Sequence, residues 1–171
     1  METVIRPWRS ADSASLAEAL NNKRVLDNLR DGLPFPYTEC DAAQYIEAML
    51  SAPPGSVYAF AIDCGGLAVG SVSLTRGVNI HRRSAELGYY VGEPYWGRGL
   101  ATGAVRAACE YVFGHSDIVR IFAEPFAANA ASSRVLEKSG FRLEGVLRAN
   151  AFKNGAVLDM CMYSLLRPSG R

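Results

Sequence analysis

The order of apolar and polar positions along the chain changes period several times, and each change predicts an element. A short β-branched run over residues 3–7 predicts an opening strand, and Ser10 or Asp12 can cap a helix that runs to about residue 20. Residues 28–38, NLRDGLPFPYT, hold a glycine and two prolines, which predicts an ordered loop without helix. Thr38 and Asp41 have the spacing of a capping box. Tyr45, Ile46, Met49 and Leu50 recur at helical spacing after it, so a helix should stop before Pro53.

From residue 56 the period falls to two. SVYAFAID (56–63) and LAVGSVSLT (67–75) are strand-like runs joined across Cys64-Gly65-Gly66, a tight glycine turn, and RSAELGYYV (83–91) predicts a third strand. Leu100, Gly103, Ala104, Ala107, Tyr111 and Val112 then predict a helix over 99–113 with one packed face. IVRIFAEPF (118–126) follows as a strand, and 129–139 as a helix that Gly140 can end. The last two strands, about 142–152 and 156–166, flank Lys153-Asn154-Gly155, whose Asn-Gly is a strong hairpin signal.

The hairpins require antiparallel pairs, whereas the helix between 83–91 and 118–126 implies a parallel one. The fold class is therefore α/β (α+β): a mixed, mostly antiparallel twisted sheet of about six to seven strands with helices on both faces and one parallel pair. No repeat, low-complexity tract or linker interrupts the pattern, so residues 1–171 are expected to form one domain. In such sheets ligands sit at the C-terminal ends of the parallel strands.

Composition narrows the partners. Lys and Arg total 18 against 17 Asp and Glu, for a formal charge of +1, and no long run has one sign, which argues against a nucleic-acid or membrane footprint. Cys40, Cys64, Cys109 and Cys161 are never closer than 64 − 40 = 24 positions, so paired metal spacing is missing and reduced thiols are expected. His81 and His115 are likewise isolated, and no metal is expected. The start, METVIRPWRS, does not have the form of a secretory signal, and no apolar run has the length of a spanning helix, so the expected location is cytoplasmic.

The segment PYWGRGLATGAVRAA (94–108) carries the chemistry. A helix start presents unpaired N–H groups and the positive end of the peptide dipole, and glycine lets a phosphate approach them. Gly97 and Gly99 would bring backbone amides to a pyrophosphate, Arg98 would add charge and Thr102 a hydroxyl; a tight strand-to-helix turn without ligand explains the same glycines. The dinucleotide fingerprint fails because Thr102 stands where its third glycine belongs, and no Gly-Lys-Ser/Thr makes a P-loop. What remains is Trp96-Gly97-Arg98-Gly99-Leu100-Ala101 after a strand carrying Glu86, Tyr89, Tyr90 and Val91.

This loop resembles the coenzyme A pyrophosphate loop of the GNAT superfamily of N-acetyltransferases. NAASSRVLEKSGFRLEG (129–145) is similar to a second signature of that superfamily, most closely its branch of ribosomal-protein N-terminal acetyltransferases. RDGLPFPYT and NGAVLDMCMYSLL also resemble that branch, so the similarity covers nearly the whole chain in order. Two positions depart from it. Trp96 stands where Gln or Arg is commoner in the superfamily, and Ala151 lies in a stretch where some branch members place an acidic residue proposed as the base.

The resemblance implies acetyl-CoA as co-substrate, a parallel strand pair splayed at its site, and transfer of the acetyl group to an amine. Tyr90, Val91, Trp96, Gly97, Arg98, Gly99, Ala101, Thr102, Asn129 and Ser132 become the cofactor-binding candidates. Alkyl amines have a pKa of about 10 and N-terminal amines about 8, so a proton must leave the acceptor before attack. Glu86 is the candidate base, or an ordinary strand carboxylate; Tyr58, Tyr89 and Tyr163 can relay the proton. A backbone N–H near Val91 would hold the oxyanion, and Ser132 would donate to the departing thiolate. Asn129 would hold the pantetheine, although Asn129 and Ser132 also read as a plain helix cap.

Arg30, Tyr37 and Tyr163 are the acceptor-site candidates, with Asp31, Phe35 and Tyr45 beside them. The acceptor placed first is the α-amine of a protein or peptide N-terminus; a polyamine, amino acid or amine antibiotic comes second. A non-catalytic acyl-CoA sensor is the alternative of another class, and a dinucleotide-binding oxidoreductase the third. Dimers are common in the family, so a homodimer stays open.

Overall fold

A computed structural model describes residues 4–168. Its elements run β1 (Val4–Arg6), α1 (Ser13–Leu20), α2 (Lys23–Leu26), α3 (Glu39–Leu50), β2 (Val57–Cys64), β3 (Leu67–Arg76), β4 (Ser84–Val91), α4 (Leu100–His115), β5 (Arg120–Ala123), α5 (Ala130–Lys138), β6 (Arg142–Lys153) and β7 (Ala156–Leu166). The strands form one seven-stranded sheet in the order β1-β2-β3-β4-β5-β7-β6, and β4 with β5 is its one parallel pair. The expected mixed sheet is what forms. Thr3, at the start of the expected first strand, lies outside the described residues.

Local chemistry accounts for most boundaries. Gly65 and Gly66 turn the β2–β3 hairpin with φ of +66° and +89°, and Asn154 and Gly155 turn β6–β7 with +50° and +78°, the left-handed pair that a two-residue hairpin needs. The Thr38 hydroxyl accepts from the Asp41 N–H at 3.3 Å while the Asp41 carboxylate accepts from the Thr38 N–H at 2.8 Å, closing the capping box of α3. One expectation changes, since β5 covers only part of 118–126, and α2, a four-residue turn too short for a periodic signal, adds an element. β5 stops because its parallel pairing with β4 ends at Phe122 and Pro125 has no N–H to extend a ladder.

The sheet separates two cores. On one face Val72, Leu74, Ala85 and Leu87 pack against Leu100, Ala104 and Val105 of α4 and Leu136 of α5. On the other, Ala61 and Ala68 meet Leu16 and Leu20 of α1 and Ile46 of α3, with Trp8 and Tyr37. No helix among the described residues is long and apolar enough to cross a membrane.

A shielded ion cluster fastens the first strand. Arg6 binds Asp12 at 2.8 Å and Asp63 of β2 at 2.7 Å, and the Arg6 and Asp12 side chains are only 11% and 8% exposed. The hydrogen bonds from Arg6 hold the Asp12 carboxyl below the usual carboxylate range. Asp12→Asn removes the charge opposite Arg6 and one of the two oxygens that accept from its guanidinium, and is expected to cost about 3 kcal/mol in denaturant unfolding at neutral pH. Because the folded-state pKa is the lower one, that contribution is complete above the unfolded value of about 3.9 and disappears as pH falls through the folded value. The gap between wild type and variant should therefore narrow in acid; a gap independent of pH would contradict the assignment.

Candidate active site

β4 and β5 lie side by side only where residues 84–86 pair with 120–122. Beyond that point β5 stays with β7, and residues 87–91 of β4 have β3 as their one strand neighbour among the described residues. A cleft of about 1000 Å³ opens at the parting. The start of α4 and one side of α5 border it, and the loop after α2 closes its opposite face.

The glycine loop is built for close approach. Gly97 and Gly99 hold φ of +75° and +78°, and a Cβ on either would meet nothing within 4 Å. The backbone therefore needs glycine for its dihedrals, and the space above it belongs to the cleft. Gly99 is the N-cap of α4 and supplies no side chain, so no cap claims the amides of the first turn. Ala101 and Thr102 line the cleft from that turn.

Side chains pin this loop to the strand end. The Trp96 indole N–H donates to the Val91 carbonyl at 2.7 Å. Glu93 accepts from the Asn22 amide at 2.6 Å and pairs with Arg24, whose guanidinium lies 5.7 Å from the centre of the Trp96 ring. Arg98 is folded back on its own loop, donating to the Pro94 carbonyl at 2.9 Å and covering the Tyr95 ring at 5.2 Å. Arg98 lines the cleft from this position.

On the same side, the Asn129 side-chain oxygen accepts from the Ser132 N–H at 3.1 Å and caps α5. The Ser132 hydroxyl lies 2.6 Å from the Tyr89 hydroxyl. Burial pushes the Tyr89 phenol up to about 12, so it keeps its proton at neutral pH. Both hydroxyls border the cleft.

The other face carries the charge. Alternation along β4 turns Ala85 and Leu87 into the α4 core and Glu86 away from it. The Glu86 carboxylate pairs with Arg30, and the same guanidinium reaches the Glu124 carboxylate at 3.2 Å. Tyr37 is 4% exposed at the cleft wall, where burial pushes its phenol up to about 12. Tyr90 is half-buried with its phenol raised for the same reason, and the Tyr45 hydroxyl lies 3.3 Å from that of Ser71.

A smaller cavity of about 350 Å³ adjoins the cleft, with Arg30, Asp31 and Glu124 in both walls and Ala151 and Lys153 in its own. Lys153, at the tip of the β6–β7 hairpin, pairs with Asp31 at 2.8 Å, and Asn154 donates to Asp27 at 3.0 Å. The hairpin tip is thereby tied to the loop that carries Arg30.

Most of the sequence candidates converge on the cleft: Glu86, Tyr90, Val91, Trp96 to Thr102, Asn129, Ser132, Arg30 and Tyr37 all line it. Tyr163 does not, and its placement at the acceptor is corrected. It is 3% exposed in the α4-side core and donates to Glu137 at 3.1 Å, because the register of β7 turns it inward beside Ala123. Phe35 is 60% exposed, and Tyr58 stacks edge-on with Tyr111. Sequence reasoning missed Glu124, although its place just after a strand parallel to β4 is where ligand-facing residues concentrate. Among the described residues no group of three or more His, Cys, Asp or Glu side chains can hold a metal ion.

Residues 2–142 match the family described as the acetyltransferase (GNAT) domain. By sequence the chain is 36% identical over 100 residues to YoaA of Bacillus subtilis, an uncharacterized N-acetyltransferase, which covers 58% of this chain and 56% of that one. The chain thus spans little more than half the length of that curated relative. By structure it superposes on the ribosomal-protein-S5-alanine acetyltransferase of Vibrio fischeri with a TM-score of 0.86 at 21% identity, covering 99% of this chain and 95% of the other. The spermidine N-acetyltransferase of Vibrio cholerae, solved with CoA and spermine, gives a TM-score of 0.80 at 21% identity, covering 97% and 96%. With the cleft, the glycine loop and the strand order in agreement, the chain belongs to the GNAT acetyltransferase family.

Proposed function

We propose that the chain transfers the acetyl group of acetyl-CoA to a primary amine, and that the acceptor is the α-amine of a protein or peptide N-terminus. The observation that carries this is the parting of β4 and β5, which sets an uncapped helix start on one face of the sheet and the Glu86 carboxylate on the other. Family membership supports the chemistry, and the structural neighbour named as a ribosomal-protein-S5-alanine acetyltransferase supports an α-amine. The carboxylates of Glu86 and Glu124, together with the spermine-bound neighbour, favour a polyamine as the second reading.

The residues divide the work. Amides at Gly97, Gly99 and the first turn of α4 hold the pyrophosphate, with Trp96, Ala101 and Thr102 shaping the slot. Asn129 fixes the start of α5, so that Ser132 and Tyr89 face the thioester sulfur. Arg30 occupies Glu86 in the free protein, and the arriving ammonium displaces it. Glu86, directly or through a water, then takes the proton from the amine; the nitrogen attacks the thioester carbonyl, and an N–H near Val91 holds the oxygen that becomes negative. As the C–S bond breaks, the thiolate receives a proton from the Ser132–Tyr89 pair, the acetylated nitrogen gives up its second proton to restore that pair, directly or through water, and Glu86 releases the first to solvent. Holding both reactants in one slot supplies much of the rate gain.

Thiol release from acetyl-CoA should appear with short peptides beginning Ala and vanish with their N-terminally blocked twins. Release with spermidine alone would move the acceptor to polyamines, and tight acetyl-CoA binding with no release for any amine would leave a coenzyme sensor. Gly99→Val adds a branched side chain over the amides and strains a positive φ by about 1–2 kcal/mol. It should raise the acetyl-CoA Kd by calorimetry at least about tenfold, the scale of one lost hydrogen bond to a charged group. An unchanged Kd in a folded variant would remove the loop from the site. Glu86→Gln should lower kcat about 100-fold with acetyl-CoA affinity retained; wild-type rates across the pH range would exclude Glu86 as the base.

A further inference from the structure

Three glycines lie within strands: Gly70, Gly88 and Gly145. A glycine inside a strand weakens it, and its presence usually marks a close backbone approach, a bulge or the approach of a ligand. Gly70 is explained by the first cause, because a Cβ there would lie 2.3 Å from the Tyr90 carbonyl oxygen. Gly145 is explained by the second, since it sits at the register shift between Leu143 and Gly145 in β6. Neither cause applies to Gly88. It pairs with Ser73 in an unbroken register, and a Cβ there would meet only the Ser73 hydroxyl, at an ordinary 3.8 Å.

What surrounds Gly88 identifies the ligand. It is exposed and lines the cleft. It shares the face of β4 with Glu86 and Tyr90, and opposite these three stand Thr75, Ser73 and Ser71 of β3. The floor is thus lowest at the Gly88–Ser73 row, with a carboxylate at one end and the Tyr90 ring at the other. Coenzyme-side groups, the α4 start and the Tyr89–Ser132 pair, belong to the opposite face. We infer that the bare backbone at Gly88 receives the substituent on the carbon that bears the acceptor amine, making Gly88 the residue that admits α-substituted amines such as peptide N-termini alongside unbranched ones. The inference rests on the acetyltransferase reading and specifies which amines its acceptor side accepts.

The physical argument is one of volume. The amine must reach the thioester beside Glu86, which brings its carbon over Gly88 two residues along the same face. An unbranched amine presents a narrow methylene there, whereas an α-amine presents a branched centre. A methyl group on the floor takes up the room that the branch needs.

The test is Gly88→Ala, compared with wild type on the amide of Ala-Ala-Ala and on putrescine. The substitution has no strained φ and no clash, so its Tm should match or exceed that of wild type. The ratio of kcat/KM for the peptide to that for putrescine should fall about tenfold, the scale of one misplaced methylene, while the acetyl-CoA Kd stays within about twofold. Equal loss on both amines, no loss on either, or weakened acetyl-CoA binding would overturn the inference, the last by placing Gly88 on the coenzyme side. Absence of thiol release from wild type with both amines would instead count against the acetyltransferase reading. In that case calorimetric binding of the peptide to the CoA-loaded proteins decides the inference separately: affinity reduced about tenfold in Gly88→Ala sustains it, and affinity unchanged or increased overturns it.

Discussion

The architecture turns on a hydrogen-bond ladder that stops early. Where residues 84–86 lie against 120–122 the sheet is continuous; one residue further on, β4 and β5 have separate partners and the sheet divides. A parallel pair needs a crossover helix, and the dipole of that helix, α4, directs its N-terminus toward the C-terminal end of β4. The gap and the anion-favouring helix start therefore have one cause. Trp96 and Glu93 keep them in register, the first by holding the Val91 carbonyl and the second by linking the loop to Asn22 and Arg24.

The gap passes through the sheet, and in the proposed reaction the two reactants enter from opposite faces. The coenzyme face is defined by backbone: glycine dihedrals, uncapped amides and a capped α5. The proposed acceptor face is defined by side chains: Glu86 and Glu124 joined by Arg30, with the raised phenols of Tyr37 and Tyr90. Coenzyme A or acetyl-CoA is bound in several of the structural neighbours, and backbone recognition of a phosphate suits a shared ligand. Acceptors differ, as the alanine and spermidine acetyltransferases among the structural neighbours show by their names, and side chains on a loop can change without disturbing the sheet.

Much of the glycine-loop side of the cleft was legible in the sequence for this reason. Gly97 and Gly99 are visible as residue types, and Gly65-Gly66 and Asn154-Gly155 fix hairpins through dihedrals that few other pairs adopt. The acceptor face depends on contacts far apart in the chain. Arg30 meets Glu86 and Glu124, and Asp31 meets Lys153, through chain reversals that no local period encodes. Tyr163 illustrates the same gap: its residue type suggested chemistry, while its burial followed from a register set by β5. The four residues of α2 give too few positions for a helical period, although Asn22 and Arg24 turn out to anchor the glycine loop.

Amide hydrogen exchange with and without coenzyme A tests the central claim most directly, because it reads backbone contacts at both lips of the gap without needing the acceptor. The account predicts that coenzyme A slows exchange in two separate stretches, residues 97–102 at the start of α4 and 88–91 along the unpaired edge of β4, while the tip of the β6–β7 hairpin is unaffected. Protection confined to one stretch, or appearing elsewhere in the sheet with neither stretch protected, would contradict a coenzyme seated at the parting of β4 and β5.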